Sequence, residues 1–407
     1  MERVNTLTET LQIPVRPEVD VIVAGGGFAG VAAAIAARRM GVSVLLMEKT
    51  TAFGGLATHG LVNWYEPLCN GLGEQYIFGL AEELLRLSIR YGDDTLPEIW
   101  RNPSQPVDPE RVNPEKHHPI GGRYGTYFSP TLCQLALDEA LLKEGVELRL
   151  DILCTRPVME GPKCKGVICE SKSGREYFPA KAFVDATGDA DLFFRAGCDC
   201  KNGENFFTFL AHRSTVEEKN QALQNRRWAL VGSDLYGKGH PADYPKMSGT
   251  TNEEITRFLL DGRMGLLNQI RHDDRKHRDI SALPAQVQFR KTRRICGAYT
   301  LLERDLKQPH PDSIGLCSDF DRIGDWYEIP FGCLYSNQAD NLLAAGRMIS
   351  SDEWAWDVTR VIPVCGLTGQ AAGTAAALLT LENTTAQGLE MALLQKQLEL
   401  QGVRLHL

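Results

Sequence analysis

Three glycines and one glutamate near the N-terminus have the types and spacing of a dinucleotide-binding site. Gly25, Gly27 and Gly30 form the pattern G-x-G-x-x-G, and Glu48 follows about 20 residues later. The first glycine permits a tight turn, the second lets the backbone approach a pyrophosphate, and the third lets a helix pack on the sheet. The Glu48 carboxylate suits a ribose diol and would repel a 2′-phosphate. The pattern alone does not choose between FAD and NAD.

The segments around these residues predict the elements that must position them. Residues 21–23 are β-branched, which is typical of a strand buried on both faces. The alanine-rich run after Gly30 predicts a helix that ends at Gly41 and directs its positive N-terminal end toward phosphates. Residues 44–47 predict a second strand, which carries Glu48 at its end. This order of strand, turn, helix and strand makes the glycine pattern specific for a dinucleotide.

The composition indicates a globular protein with room for two domains. The chain has 407 residues, of which 43% are apolar and 24% charged, and its net charge is −8. The acidic balance argues against nucleic-acid or anionic-membrane partners. No apolar run looks long enough to span a bilayer, no signal-peptide core is visible, and no residue set has metal-ligand spacing. The odd number of cysteines, 11, favours reduced thiols, so we expect a cytoplasmic protein.

Three later stretches permit both a functional and a structural interpretation. The Gly54-Gly55 pair suits a ribityl or phosphate group and would place His59 near the reactive end of a cofactor. His59 is then a candidate proton donor, although a loop histidine bonded to backbone is the interpretation we favour. The basic run Arg290–Arg294 is either a solvated strand edge or an anchor for a carboxylate or phosphate. The small residues 369–376 predict a helix start beneath a flat ligand, or simply tight helix packing.

These motifs together resemble the FAD dependent oxidoreductase family, in the glutathione-reductase-like superfamily and distantly related to fumarate reductase flavoprotein subunits. The matching segments follow the family order over nearly the whole chain. They are GGGFAG (25–30), Glu48-Lys49, GGLAT (54–58), DATGDAD (185–191), RRICG (293–297), AAGR (344–347) and R-x-x-P-x-C-x-x-x-G-Q-A-A-G (360–373).

The resemblance implies an extended, non-covalently bound FAD. The pyrophosphate would lie at Gly25–Gly30, the adenosine ribose on Glu48, the adenine at the backbone of Cys154, and the isoalloxazine at Gly369–Ala372. The full set of implied FAD contacts is Gly25, Gly27, Phe28, Ala29, Gly30, Glu48, Lys49, Gly55, Leu56, Ala57, Thr58, Cys154, Ala186, Thr187, Gly188, Gly346, Arg347, Gly369, Gln370, Ala371 and Ala372.

The resemblance also implies an α/β fold, a Rossmann-like FAD-binding domain with an inserted α+β substrate domain. The proline-rich residues 92–123 would form an irregular loop and a candidate cap over the site. The absence of a C-x-x-C pair near the flavin loop and of a second glycine fingerprint disfavours disulfide reductase chemistry and a built-in NAD(P)H domain. The predicted boundaries are 1–65, 126–200 and 338–407 for the FAD-binding domain, and 66–125 and 201–337 for the substrate domain.

We therefore predict an enzyme that transfers a hydride between flavin N5 and a small polar organic substrate. A fumarate-reductase-like C=C reductase, an oxygen-activating enzyme and an electron-transfer subunit without its own substrate are the alternatives, and a homo-oligomer is compatible with the sequence. A tRNA-modifying flavoprotein is disfavoured by the acidic charge. The predicted catalytic residues are His59, Arg290, Arg294, Asp357 and Arg360, and Tyr65, Glu66, Asp352 and Glu353 are further candidates for handling a proton.

Overall fold

The computed structural model describes residues 7–92, 96, 124–214, 227–234, 236–273 and 279–407. Of the predicted loop 92–123, only residues 92 and 96 lie within the described residues. The strands are β1 (Val19–Ala24), β2 (Val44–Glu48), β3 (Trp64–Tyr65), β4 (Thr126–Tyr127), β5 (Glu147–Leu150), β6 (Ile152–Glu160), β7 (Lys163–Ser171), β8 (Gly174–Asp185), β9 (Cys200–Asn202), β10 (Thr208–Ser214), β11 (Arg227–Gly232), β12 (Asp279–Ala282), β13 (Arg293–Ile295), β14 (Ser313–Ser318), β15 (Trp326–Pro330) and β16 (Leu342–Ala344). The helices are α1 (Phe28–Arg39), α2 (Leu80–Ile89), α3 (Pro130–Lys143), α4 (Asp191–Arg195), α5 (Asn252–His272), α6 (Glu353–Thr359), α7 (Ile362–Leu381) and α8 (Met391–Leu400).

The largest sheet has the order β5-β2-β1-β8-β7-β6, and β16 also pairs with β8. The pairs β5/β2, β2/β1, β1/β8 and β8/β16 are parallel, whereas β6, β7 and the first half of β8 form an antiparallel ribbon. The carboxyl ends of β1, β2, β8 and β16 therefore meet at one edge. In an open parallel sheet, this edge is where ligands bind. The architecture is the predicted α/β fold of the Rossmann type.

Helix α1 follows β1 as the sequence predicts, and it packs along the longer helix α7. Both helices are built from small residues at their contact, where a Cβ on Gly369 or Gly373 would overlap the backbone of Ala29 or Ala33. The side chain of Gln370 faces away from this contact, where it accepts from the main-chain N–H of Leu80 at 2.8 Å. The small-residue stripe is therefore a helix-packing surface.

The prediction that a helix begins at Gly369 is wrong. Helix α7 begins at Ile362, with Val361 as its N-cap, so residues 369–372 lie inside the helix. Their main-chain N–H groups are used within the helix, because only the first four N–H groups of a helix lack an internal partner. Gly369, Gln370, Ala371 and Ala372 thus cannot offer the free N–H groups that the predicted flavin contact requires.

A second, smaller apolar core lies under β10, β11 and α5. Its buried members include Phe207, Phe209, Val231, Phe258 and Phe289. Buried residues of segment 295–334 belong instead to the large core of the main sheet. Within the predicted second segment, 201–337, the apolar residues thus divide between two cores. The other face of β10 and β11, at Thr208, Leu210 and Trp228, forms one wall of the site described below.

Several predicted elements differ in extent from those in the structure. The spacing of Leu80, Leu84, Leu85 and Leu87 predicts an amphipathic helix over 75–90. In the structure this helix, α2, begins only at Leu80, after Gly79 at φ +68°. Residues 286–289 also have the pattern of a strand, but that described segment forms none. Gln288 instead bonds to the backbone of β10 at Leu210. Hydrogen bonds of the Gln288 side chain thus take the place of the backbone hydrogen bonds between strands that the alternating sequence pattern predicts.

Helix α7 is, by length and composition, long and apolar enough to cross a membrane. A stretch of 18 residues in this helix has a mean hydropathy of 1.3, and 83% of that stretch is buried within the structure. The expectation that no apolar run reaches this length was therefore wrong. The burial against α1 explains the apolar character, since a helix that is apolar all round is often a core helix.

We expect Gly373→Ala to destabilise the protein by about 1–3 kcal/mol, because the new methyl group would overlap the carbonyl of Ala33. Urea unfolding of the purified variant would measure the change. Thr380→Ala, near the partly exposed end of the same helix, is the control and should change stability by less than about 0.5 kcal/mol. Equal stabilities of the two variants would contradict the packing assignment.

Candidate active site

The turn after β1 brings three backbone segments into contact. Gly25 has φ +102°, and a Cβ there would overlap the carbonyl of Ala186, at the end of β8. A Cβ on Gly30, in the first turn of α1, would overlap the carbonyl of Gly25. Gly27 differs, because nothing lies within 4 Å of the position of its Cβ. The first and third glycines therefore serve close packing, and the second leaves open space above the N-terminus of α1.

Glu48 lies at the carboxyl end of β2, beside this turn. One carboxylate oxygen accepts from the main-chain N–H of Gly26, and the other from that of Thr50, both at 2.7 Å. These two bonds fix the carboxylate at the edge of the open space. Glu48 thus lies where the ribose diol of a dinucleotide is expected.

The second glycine pair forms a neighbouring loop. Gly54 donates its N–H to the carbonyl of Gly26 at 2.8 Å, so the two glycine turns are bonded together. Gly54 and Gly55 have φ values of +101° and +56°, which favour glycine. The hydroxyl of Thr58 donates to the carbonyl of Phe53 at 2.8 Å and thereby closes the loop from behind.

A clamp on the far side of the space holds the turn after β8. Arg347 donates to the carbonyl of Gly188, to a carboxylate oxygen of Asp189 and to the carbonyl of Phe289, each at 2.7 Å. Burial opposes the ionisation of Asp189, but the nearby Arg347 and Lys49 outweigh it and hold the pKa of this carboxyl below its usual value. The clamp links β8, β16 and the small core around one cavity.

One cavity of about 960 Å³ joins these features. Most of the predicted site residues line it. From the predicted cofactor set these are Gly25, Gly27, Phe28, Ala29, Glu48, Lys49, Gly55, Leu56, Ala57, Cys154, Ala186, Thr187, Gly188, Gly346 and Arg347, and from the predicted catalytic set Arg290, Asp357 and Arg360.

The remaining predicted residues do not line this cavity. Gly30 and Thr58 support it by packing and by a loop bond, as described above. His59 is half-buried, and its main-chain carbonyl accepts from Ala285 at 2.9 Å. Arg294 is buried and pairs with Asp352 at 2.8 Å. His59 and Arg294 thus join segments of the fold outside the lining, as do the helix-interior residues Gly369, Gln370, Ala371 and Ala372.

The N-terminus of α7 takes the place at the cavity that the sequence assigned to Gly369. Val361, Ile362 and Cys365, from its N-cap and first turn, line the cavity. The N-cap side chain makes no capping hydrogen bond. Pro363, in the first turn, was the available sequence signal, because proline is favoured at helix starts.

The short strand β3 and the residue that follows it contribute two side chains to the same cavity. Successive residues of a strand point to opposite faces, so Trp64 and Glu66 reach the cavity while Tyr65 is directed into the core. The Tyr65 hydroxyl donates to the carbonyl of Ala81 at 2.5 Å, which anchors the strand. Trp228, on β11, also lines the cavity and donates to Asn63 at 2.9 Å. These residues define a chamber beyond the glycine loops.

Glu66 is a carboxylate in this chamber whose ionised form is poorly stabilised. It accepts from the main-chain N–H of Ile362 at 3.3 Å. Burial raises the pKa of Glu66 to about 7, and its own main-chain N–H, Arg360 and Arg290 offset only part of that rise. Glu66 can therefore gain or lose a proton near neutral pH.

Two arginines face Glu66 across the chamber. Burial, followed by the neighbouring positive charge of Arg360, lowers the pKa of Arg290 to about 10. Arg360 pairs with Asp357 at 3.0 Å, and Asp357 also accepts from Lys291 at 2.8 Å. Asp234 also acts on Arg290, so three cations face two carboxylates and leave a positive surface that suits an anionic group.

The open glycine turn, the carboxylate at the second strand and the sheet edge define a dinucleotide-binding enzyme of the Rossmann type. The family description FAD dependent oxidoreductase matches residues 20–208 and 205–398. The chain belongs to this family, and FAD is its cofactor. A comparison with curated proteins finds no match.

Solved structures to which this chain is similar include two hydroxylases and a reductase-like protein. OxyS anhydrotetracycline hydroxylase from Streptomyces rimosus is 13% identical with a TM-score of 0.46, over 94% of this chain and 65% of that one. CabE, an aromatic hydroxylase from angucycline biosynthesis, is 15% identical with a TM-score of 0.48, over 94% and 65%. A geranylgeranyl bacteriochlorophyll reductase-like protein from Thermoplasma acidophilum is 13% identical with a TM-score of 0.46, over 95% and 83%. The chain thus spans about two thirds of the two hydroxylases.

The residues present fit FAD. The open position above Gly27 is a cradle that a side chain would fill, and it lies at the N-terminus of a helix, where phosphates bind. Glu48 and the first residues of α7 both line the cavity that contains the cradle. The cavity volume of about 960 Å³ lies in the range of cofactor sites.

We expect Gly27→Ala to weaken FAD binding by about 10-fold or more without changing the stability of the apoprotein. Gly27 has φ −67°, which alanine adopts readily, and no protein atom opposes its Cβ. Titration of the apoprotein with FAD, followed by flavin fluorescence, would measure the affinity. Unchanged affinity would show that the pyrophosphate lies elsewhere.

We expect Glu66→Gln to become more stable relative to the wild type as the pH rises. The folded pKa of about 7 lies above the usual 4.5, so the unfolded chain releases this proton first. Ionisation of Glu66 therefore lowers wild-type stability between about pH 4.5 and 7, whereas glutamine cannot ionise. Urea unfolding of the FAD-loaded proteins from pH 5 to 8 would test this, with Glu303→Gln as the exposed control. Parallel stability profiles would exclude the raised pKa.

Proposed function

We propose that this FAD-dependent oxidoreductase transfers a hydride between flavin N5 and a small polar organic substrate that carries an anionic group. The single observation that carries this proposal is that one cavity joins the nucleotide cradle to the chamber of Glu66, Arg290 and Arg360. Bound FAD supplies the acceptor or donor of two electrons, and the chamber supplies the contacts to the substrate.

The charges of the chamber support an anionic substrate. Arg290 and Arg360 are close enough to lower the pKa of Arg290, and each presents a planar guanidinium that can bind a carboxylate at two points. Asp357 balances one of the positive charges and holds Arg360 in place through the 3.0 Å pair. A carboxylate that enters the chamber would relieve the repulsion between the two arginines.

The shape of the chamber supports a compact substrate with an apolar or flat portion. Trp64 and Trp228 line the cavity, and both rings pack against Tyr127, at centroid distances of 4.6 and 6.2 Å. Such a fixed aromatic wall excludes water and limits the orientations of a substrate. Hydride transfer needs this restriction, because the reacting C–H bond must lie about 3 to 3.5 Å from its acceptor.

Anaerobic titration of the purified flavoprotein tests the proposal. The panel contains hydroxy acids, unsaturated acids, polyols, sugars and NAD(P)H, and the loss of visible flavin absorbance is the measurement. Bleaching by a hydroxy acid would support a dehydrogenase, and reoxidation of the reduced protein by an unsaturated acid would identify a C=C reductase. Bleaching by NAD(P)H with substrate-dependent oxygen consumption would identify oxygen activation. A protein that exchanges electrons only with dithionite or a protein partner would contradict the proposal.

We expect Arg360→Gln to raise the KM for the anionic substrate found in this way by about 10- to 100-fold, because a charge-assisted hydrogen bond contributes about 1.5–3 kcal/mol. Steady-state kinetics of the FAD-loaded variant would measure the effect. Arg322→Gln is the control, since Arg322 lines the same cavity but pairs with Glu303 at 2.7 Å and should alter the KM little. Equal effects of the two variants would exclude a specific anchor at Arg360.

A further inference from the structure

We propose that the chamber binds its carboxylate-bearing substrate together with one proton, and that Glu66 is the catalytic residue that holds this proton. The inference rests on the proposed function, and it adds the group that completes a hydride transfer. Hydride transfer from a carbon beside a hydroxyl leaves one proton that must be removed, and the reverse reaction must supply one. A titratable group inside the chamber can do both.

Two described carboxylates that line the chamber, Glu66 and Asp357, differ in their hydrogen-bond partners. Asp357 accepts from Lys291 with one oxygen and from Arg360 with the other. Burial opposes its charge, but Arg360 and Lys291 prevail and hold the pKa of Asp357 below its usual value. Asp357 therefore stays ionised and orients Arg360. It is a positioning residue and a poor carrier of protons.

Glu66 has a different environment on every side. The N-terminus of α7 faces it through the N–H of Ile362. Arg360, just after α6, and Arg290, before β13, also face it. Cys365, half-buried in the first turn of α7, and Tyr65, buried on β3, are neutral groups nearby, and burial raises the pKa of both. Asp357 and Lys291 form a pair behind Arg360. Glu66 is thus surrounded by protein on its other sides but lines the cavity, and the hydrogen bond from Ile362 to its carboxylate is long.

A bound carboxylate would change the charge of this environment. With Glu66 neutral, the cations Arg290, Lys291 and Arg360 still outnumber the carboxylates Asp357 and Asp234, and an incoming anion meets no charge at Glu66 itself. With Glu66 ionised, the anion would lie beside a like charge. Anion binding therefore favours protonated Glu66, and near neutral pH it must draw a proton from solvent.

The proton taken up on binding serves the redox step in the direction of reduction. Bound FAD, when reduced, would supply a hydride to the carbon of a C=O group of the substrate. As the new C–H bond forms and the C=O π bond breaks, protonated Glu66 gives its proton to the oxygen, which becomes a hydroxyl, and Glu66 is left as a carboxylate. In the direction of oxidation, Glu66 must first be ionised before it can accept the O–H proton. Atoms and charge balance with one hydride, one proton and the carbonyl group.

Isothermal titration calorimetry tests the coupling without turnover. The FAD-loaded protein is titrated with malonate and with benzoate at pH 7, in buffers of low and high ionisation enthalpy, and the difference gives the protons taken up. We expect wild type to take up roughly half a proton per anion, because the pKa of Glu66 is about 7 before binding. Its affinity should fall as the pH rises from 6 to 8.

Glu66→Gln should bind the same anions with no proton uptake and an affinity independent of pH over this range. Glu303→Gln, an exposed carboxylate that lines the same cavity, should keep the wild-type uptake. Circular dichroism and FAD content establish that both variants are folded and loaded. Proton uptake that persists in Glu66→Gln would overturn the role of Glu66 alone. Failure of the wild-type protein to bind either anion would overturn the anionic substrate of the proposed function as well.

Discussion

The structure depends on the direct approach of backbones around the turn after β1. Gly25 contacts the end of β8, Gly30 contacts Gly25, and Gly369 contacts the first turn of α1, each without room for a Cβ. These approaches bring the ends of two central strands and two helices to one point. Because the protein interior is close-packed, the cavity above that point inherits its shape from them. The shape of the FAD site thus depends on glycines at the positions where the backbones approach each other.

The nucleotide end of the site could be predicted from sequence because its information is local. Residues 19–49 contain the strand, the turn, the helix and Glu48, so spacing along the chain is enough to place them. The α/β fold follows from the same pattern. The roles of Gly369–Ala372 could not be resolved, because small residues suit both a helix start and a helix–helix contact. Only the neighbouring α1 distinguishes the two.

The chamber was harder to predict because its residues come from distant segments. Glu66 follows a strand of two residues that pairs with Thr126–Tyr127, and no periodic pattern marks so short an element. Arg290 and Arg360 were identified as candidates by residue type, whereas His59 and Arg294 were candidates of the same kind and lie outside the cavity lining. Residue type indicates what a side chain can do, but tertiary contacts decide where it acts.

Helix α7 connects the two ends of the site. Its middle, at Gly369 and Gly373, is fixed against α1 by packing, and its first residue, Ile362, therefore has a fixed position at the cavity. A helix of 20 residues transmits this constraint because it is stiff, and its uncapped N-terminus carries partial positive charge. The N–H of Ile362 holds Glu66, whose environment otherwise disfavours its charge. The small residues of α7, which in the sequence resemble a flavin contact, thus affect the site indirectly. Their packing on α1 fixes the position of the helix N-terminus, and the helix N-terminus holds the carboxylate of Glu66.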